Sequence, residues 1–410
     1  LYDLYDICHM LLLTFMNSGK RTYSPIMKEN KEMHQCTNSR NGFGGEDYIM
    51  SASHLANLKK EVSAFQKTDT KLSLLQVVNT VVPLVLLWWA AYASLSFSYG
   101  LTLLIAAVAS GFLIRTFIIF HDCCHQSFFK SRKANDILGT ITGVLTHVPY
   151  CQWKHDHSVH HATSGNLAKR GIGDIWLLTV EEYAASPLWR RIFYRCYRNP
   201  LVMFGFGPIA VFLVQYRFNR RGAPRKERIN TYLTNLLIAA MYALLYQVVG
   251  WQALLAVQGP IFFLSGMFGI WLFYVQHQFE RSYFEKEEEW DYVQAAVEGS
   301  SFYKLPRPLQ WITGNIGFHH VHHLNPRVPN YHLEEAHLAV PFLQKATTIT
   351  LATSLKSLRY RLWHEAEKTF VSFKEAGPII RGIRAAAPER PKRKGKAAAA
   401  AKIAAGARTD

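Results

Sequence analysis

The chain carries two long stretches without a single Asp, Glu, Lys or Arg, residues 72–114 (43 residues) and residues 229–279 (51 residues). One bilayer crossing takes about 20 apolar residues, so each stretch is long enough for two. Ser, Tyr and Gly interrupt the first at 94–100, and Gly250–Trp251 interrupts the second. The pattern predicts spans at 74–96, 100–120, 231–249 and 253–276. Trp88 and Trp89 suit an interfacial belt. Two shorter apolar segments, 137–150 and 200–216, fall short of a crossing and are predicted to be interfacial or re-entrant. From Met50 onward Leu55, Leu58, Val62 and Phe65 recur at helical spacing, with a basic opposite face.

These patterns predict an all-α integral membrane protein, with four transmembrane helices and a cytoplasmic helical domain. Residues 1–49 lack periodicity. They are expected to be a disordered extension or a mistranslated leader ahead of a natural start at Met50. Within them Met10–Phe15 is too short to cross a membrane and has none of the flanks of a signal peptide. The expected order is then an amphipathic segment over 50–72, helices one and two over 73–120, and a polar region over 121–228. Helices three and four follow over 229–279, a second polar region over 280–376, and a disordered basic tail over 377–410.

Charge changes this picture only by giving it an orientation. The chain has 46 Lys+Arg against 29 Asp+Glu, a net charge of +17. In a soluble protein that excess would point to nucleic acid. Here basic loops on the cytoplasmic side of a membrane explain it, and no nucleic-acid partner is expected. Four crossings place the N-terminus, 121–228 and everything after 280 in one compartment, which the basic residues mark as the cytoplasm. None of the six cysteines forms a C-x-x-C pair, so no zinc ribbon or thioredoxin-type motif is present. Cys123, Cys124, Cys151 and Cys196 are expected to be free thiols.

The chemistry lies in the histidines. Of 18, many are clustered. His121 and His125 stand at H-x-x-x-H just after an apolar run. His157, His160 and His161 stand at H-x-x-H-H, and His319, His322 and His323 repeat that spacing. His277 stands alone at the end of the fourth predicted span. On a helix, residues four apart differ by about 40° around the axis and residues three apart share the same face, so each cluster presents its imidazoles together. An imidazole binds a metal through one nitrogen while a neighbouring acceptor holds the other. Asp122, Asp156, Asp174 and Glu280 lie close enough in sequence for that task. Eight or nine imidazoles are too many for one ion and fit two ions with four or five ligands each. Lone histidines at a membrane edge are usually ordinary polar residues, and His9, His34, His54 and His364 are read that way. Nothing in the spacing requires His147 or His155, and His320 points off the shared face of the third cluster.

With these residues in view, the sequence resembles the membrane fatty acid desaturases, most closely the acyl-lipid branch that includes ω-6 (Δ12) enzymes. The likeness runs from about Met50 to about His337 and is carried by FHDCCHQSFF, HDHSVHHATSGNLAKRGIGDIW, VQHQFE and GNIGFHHVHHLNPRVPNYHLEEAH. The first box is H-x-x-x-H, as in the ω-6 type. The third begins with His, unlike that of front-end desaturases, and no haem domain is evident in the chain. The resemblance implies a di-iron centre held by His121, His125, His157, His160, His161, His319, His322 and His323. His277 matches a further histidine that the family places near the end of a late span. It also implies O2 as co-substrate, a membrane-lipid acyl chain as substrate, and an external electron donor, either ferredoxin or a separate cytochrome. The expected reaction introduces a cis double bond. Fatty acyl hydroxylases and carotenoid ketolases share such boxes and remain the nearest rivals. A zinc-dependent membrane hydrolase would need fewer histidines and an open coordination position. A metal transporter would place its ligands within the spans.

Overall fold

The computed structural model describes residues 52–386. The expected extension at 1–49 and the tail beyond 386 lie outside the described residues. The first helix, α1 (Ala52–Ser63), carries the amphipathic stripe. Its Leu58 and Val62 are buried against Ile118, Val293, Val321 and Leu333, so this part of the stripe faces the protein's own core and not a lipid surface.

Helix α2 (Thr70–Ser94) starts where the Asp69 carboxylate accepts the Lys71 and Leu72 amides, satisfying N–H groups that have no partner within the helix. Helix α3 (Tyr99–Cys124) returns alongside it. Leu84 and Ala91 of α2 meet Ala106, Ala109 and Leu113 of α3, small residues that let apolar helices approach closely.

After α3 come α4 (Arg132–Leu145) and α5 (Tyr150–Thr163). Two short helices follow, α6 (Val180–Ala185) and α7 (Leu188–Tyr197). The expected re-entrant segment at 200–216 forms wide π-helical turns at Leu201–Phe206 and Ile209–Val214. The run Leu201–Arg217 is bent by 65° from α7. Helix α8 spans Arg225–His277, 53 residues. At 1.5 Å per residue an unbroken helix of this length would reach about 80 Å, far beyond a hydrocarbon core of about 30 Å. It breaks at Gly250, with φ 75° and ψ 167°, a backbone region open essentially to glycine alone. Helices α2, α3 and α8 are each long and apolar enough to cross a membrane.

The remainder is built from α9 (Tyr292–Glu298), α10 (Arg307–Ile312), α11 (His319–Leu324) and α12 (Leu333–Ala339). Two features correct the sequence reading. The protein is mostly helical but not wholly so. Strand β1 (Phe302–Lys304) pairs in parallel with β2 (Thr348–Thr350), and β3 (Leu362–His364) pairs antiparallel with β4 (Thr369–Val371). At three residues each, these strands are too short to show a period of two. The basic tail also begins later than residue 377. Residues Phe373–Ala386 form α13, because Ala376 and Ile380 bury themselves against Val180, Tyr183 and Tyr194.

Candidate metal centre

Four helices deliver the nine singled-out histidines to one place. His121 lies in the last turn of α3 and His125 caps it. His157, His160 and His161 come from α5, His277 ends α8, and His319, His322 and His323 come from α11. They sort into two groups. The ligand nitrogens of His121, His125, His157, His161 and His322 all lie within 4.8 Å of one another, as do those of His160, His277 and His323. His319 joins the second group, with its Nε2 3.0 Å from Nε2 of His277. The groups adjoin where the His161 and His323 rings stack at 4.2 Å.

This arrangement makes poor sense as hydrogen bonding alone. His160 and His277 bring Nε2 atoms to 3.2 Å, and His157 and His161 bring theirs to 3.0 Å. Two nitrogens about 2.1 Å from one ion, at right angles, stand about 3.0 Å apart. Nε2 of His125, His322 and His323 is buried with no hydrogen-bond partner, a costly state for a polar atom unless something else binds it. Burial, reinforced by neighbouring imidazoles, holds the ring pKa values of His125, His157, His161, His319, His322 and His323 well below the usual range. These rings are therefore neutral at pH 7 and keep lone pairs for a cation. An all-imidazole donor set fits iron, zinc or copper and not the oxygen-seeking Mg2+ or Ca2+.

The opposite nitrogens of His121, His160 and His277 are held as a metal site requires, while Nδ1 of His161 and of His319 is buried with no hydrogen-bond partner. His160 Nδ1 lies 2.5 Å from Asp174 Oδ1 and His121 Nδ1 lies 3.1 Å from Asp122 Oδ1. Of the four carboxylates anticipated from sequence, these two take the role. Asp156 lies in the electrostatic field of Arg220 and Glu227, and burial pushes its pKa up to about 7. Glu280 is hydrogen-bonded to Tyr360. His277 Nδ1 is instead 3.0 Å from the carbonyl of Gly299. No side-chain pattern could have flagged that partner. Nor could it have flagged Arg198, fully buried, which donates to Gln278 Oε1 and to the Tyr360 carbonyl and so braces the residue after His277. His320 turns away and pairs with His337 at 3.0 Å. His147 pairs with Tyr242 at 3.0 Å, outside both groups.

A mostly helical chain with long apolar helices and two adjoining groups of histidines that could hold metal ions points to a membrane-associated protein. Comparison with known proteins narrows the class. Residues 94–349 match the fatty acid desaturase family, and the chain belongs to that family of oxidoreductases acting on lipid acyl chains. It is 60% identical over 335 residues to a fatty acid desaturase of Bacillus subtilis, covering 82% of this chain and 95% of that protein. It is 28% identical over 239 residues to the chloroplastic omega-6 fatty acid desaturase of Brassica napus, 55% of this chain and 50% of that one. It is 27% identical over 252 residues to the sn-1 oleoyl-lipid 12-desaturase of Synechocystis, 57% and 68%.

Proposed function

We propose that the chain is a di-iron desaturase of membrane-lipid acyl chains, carried above all by the two adjoining groups of five and four imidazoles. Two iron ions would be held by His121, His125, His157, His161 and His322 on one side and by His160, His277, His319 and His323 on the other. When bound, they would supply the one-electron oxygen chemistry that side chains lack. The overall reaction takes two hydrogens from adjacent methylenes and, with O2, two electrons and two protons, yields a double bond and two waters. The electrons come from an external donor, ferredoxin or a separate cytochrome. The protein's own share is to fix the rings through Asp174, Asp122 and the Gly299 carbonyl, and to exclude water by burial.

In this reading α2, α3 and the two halves of α8 are four crossings, and both histidine groups face the cytoplasm. Support comes from the uncharged stretches, the break at Gly250 and the basic 121–228 segment, with 16 Lys+Arg against seven acids. The ω-6 or 12 position rests on relatives named for that position that are 28% identical or less. The test is expression in a host with a suitable donor, gas chromatography with mass spectrometry of its lipids, and metal analysis of the purified chain. The expected result is a new cis double bond, whose position the spectra read directly, with two irons per chain. His277→Ala should lose bound iron and double-bond formation, and His364→Ala should lose neither. A hydroxylated product would favour the rival oxidation, and zinc in place of iron would overturn the reading.

A further inference from the structure

Arg115 lies within α3 and is almost completely buried, 6% exposed. A cation on a spanning helix is costly and by default marks a function. No carboxylate pairs with it among the described residues. Its Nε donates to Thr80 Oγ1 of α2 at 3.1 Å. Its Nη1 donates to the main-chain carbonyl of Trp311 in α10, and the guanidinium lies 3.9 Å over the Trp311 indole. One side chain thus joins two helices of the apolar hairpin to the short helix that precedes the third histidine box.

Arg115 is one rung of a ladder. Gly111, Arg115, Ile118, Asp122 and His125 recur every three or four residues, on one face of α3. Each of the first four meets the segment carrying the third box. A side chain at Gly111 would come within 3.0 Å of Ile312 Cγ1. Gly314, at φ +53°, sits against Ile118, where a Cβ would come within 2.7 Å of Cγ2. Asp122 Oδ2 accepts from the Asn330 amide at 2.7 Å and from Asn330 Nδ2 at 2.8 Å, while its Oδ1 faces His121. The face that ends in a histidine of the first box therefore also aligns the chain before and after the third box.

We propose that Arg115 is a positioning residue for the metal centre. By clamping α10 to α2 and α3, it sets where α11 presents His319, His322 and His323 to the two histidine groups. This rests on the reading of those groups as metal sites. Lysine cannot replace it fully, because the planar fork reaches Thr80 and Trp311 together and an ammonium does not.

The test is metal retention. Full-length Arg115→Met and Gly111→Leu, purified from membranes and loaded with iron, are challenged with a chelator. Both should lose iron about tenfold faster than the parent, the lower end of what outer contacts to a metal site contribute. Arg115→Lys should fall between. Val108→Ala, on the exposed side of α3, should keep the parental rate. So should Leu84→Ala, a cavity in the α2–α3 core that lowers stability without touching α10, which separates positioning from general loss of packing. Unchanged retention in Arg115→Met overturns the proposal, and if that variant fails to insert, Gly111→Leu decides in the same way. If the parent retains zinc and not iron, the di-iron reading fails, and zinc retention in the same variants supports or overturns the role of Arg115. A parent that retains no metal overturns both.

Discussion

An imidazole that is to bind a metal is only as well placed as the atom behind it, and in the proposed centre three such atoms come from three different sources. Asp122 follows its histidine directly in sequence. Gly299 offers a carbonyl from the end of α9. Asp174 reaches back to α5 from a loop, and the loop can close only because Gly173 lacks a side chain. At φ +75°, a Cβ there would stand 2.7 Å from the Asp156 carbonyl and 2.9 Å from His160 Cβ. The Gly171 amide then donates to the second oxygen of Asp174 at 3.1 Å. Removing such a partner costs about 10- to 100-fold in metal affinity. Asp174→Ala should therefore weaken iron binding by that order in a chelator competition. Gly173→Val should share the defect although it touches no metal, since it moves the carboxylate. Asp156→Asn, although next to His157, should bind close to the parental level, because its carboxyl group does not hold a ring. Equal weakening by Asp156→Asn would show that sequence proximity and not the hydrogen bond matters.

At the scale of elements, Gly139, Gly143 and Gly266 are packing positions, whereas an added Cβ at Gly259 or Gly269 would meet nothing within 4 Å. A Cβ at Gly139 would come within 2.2 Å of the Tyr150 ring, at Gly143 within 2.5 Å of the Val148 carbonyl, and at Gly266 within 2.8 Å of Pro208. Gly139 matters most for the site, because Tyr150 opens α5. Its hydroxyl donates to the Cys123 carbonyl at 2.7 Å and contacts Asp136 at 2.9 Å, and Gln126, next to His125, bonds the same hydroxyl at 2.9 Å. Gly139→Ala should cost about 1–3 kcal/mol by overpacking, read as a lower melting temperature of the solubilised protein. Adding Tyr150→Ala should cost less in that background than in the parent, because the clash goes with the ring. Strictly additive losses would show that the two residues do not share this contact. These packing relations also mark how far the sequence could be read. The uncharged stretches and the histidine spacing were legible because both are one-dimensional patterns, and the eight histidines that the spacing singles out gather in two groups together with His277, which only the family resemblance picked out. Asn330, the Gly299 carbonyl and Arg198 were not legible, because their contacts with Asp122, His277 and Gln278 lie 208, 22 and 80 residues apart and leave no trace in helical spacing. The three-residue strands and α13 escaped for a different reason. Their local patterns are too short or too basic to outweigh a loop, and tertiary burial of residues such as Ala376 decides them.

For the whole molecule, the question is which side of the membrane each polar part occupies. Loops after α3 and after α8 both carry histidines of the same two groups, so α3 and the second half of α8 must end on the same side. The chain between them, Arg132–Arg225, then stays on that side or dips into the membrane and returns. The turns at Ser96 and Gln252 fall on the other side if α2, α3 and both halves of α8 are crossings. Single cysteines placed in a background lacking the native thiols test this directly. Ser158 and Arg327, both exposed and close to histidines of different boxes, should react only from the cytoplasmic face. Ser96 and Gln252, both exposed, should react only from the opposite face. The expected direction follows from the basic loops, because Lys and Arg near span ends are retained in the cytoplasm. Labelling of Ser158→Cys and Arg327→Cys from opposite faces would rule out one shared metal centre as well as the four-crossing topology, since no helix packing could then bring His161 and His323 into contact.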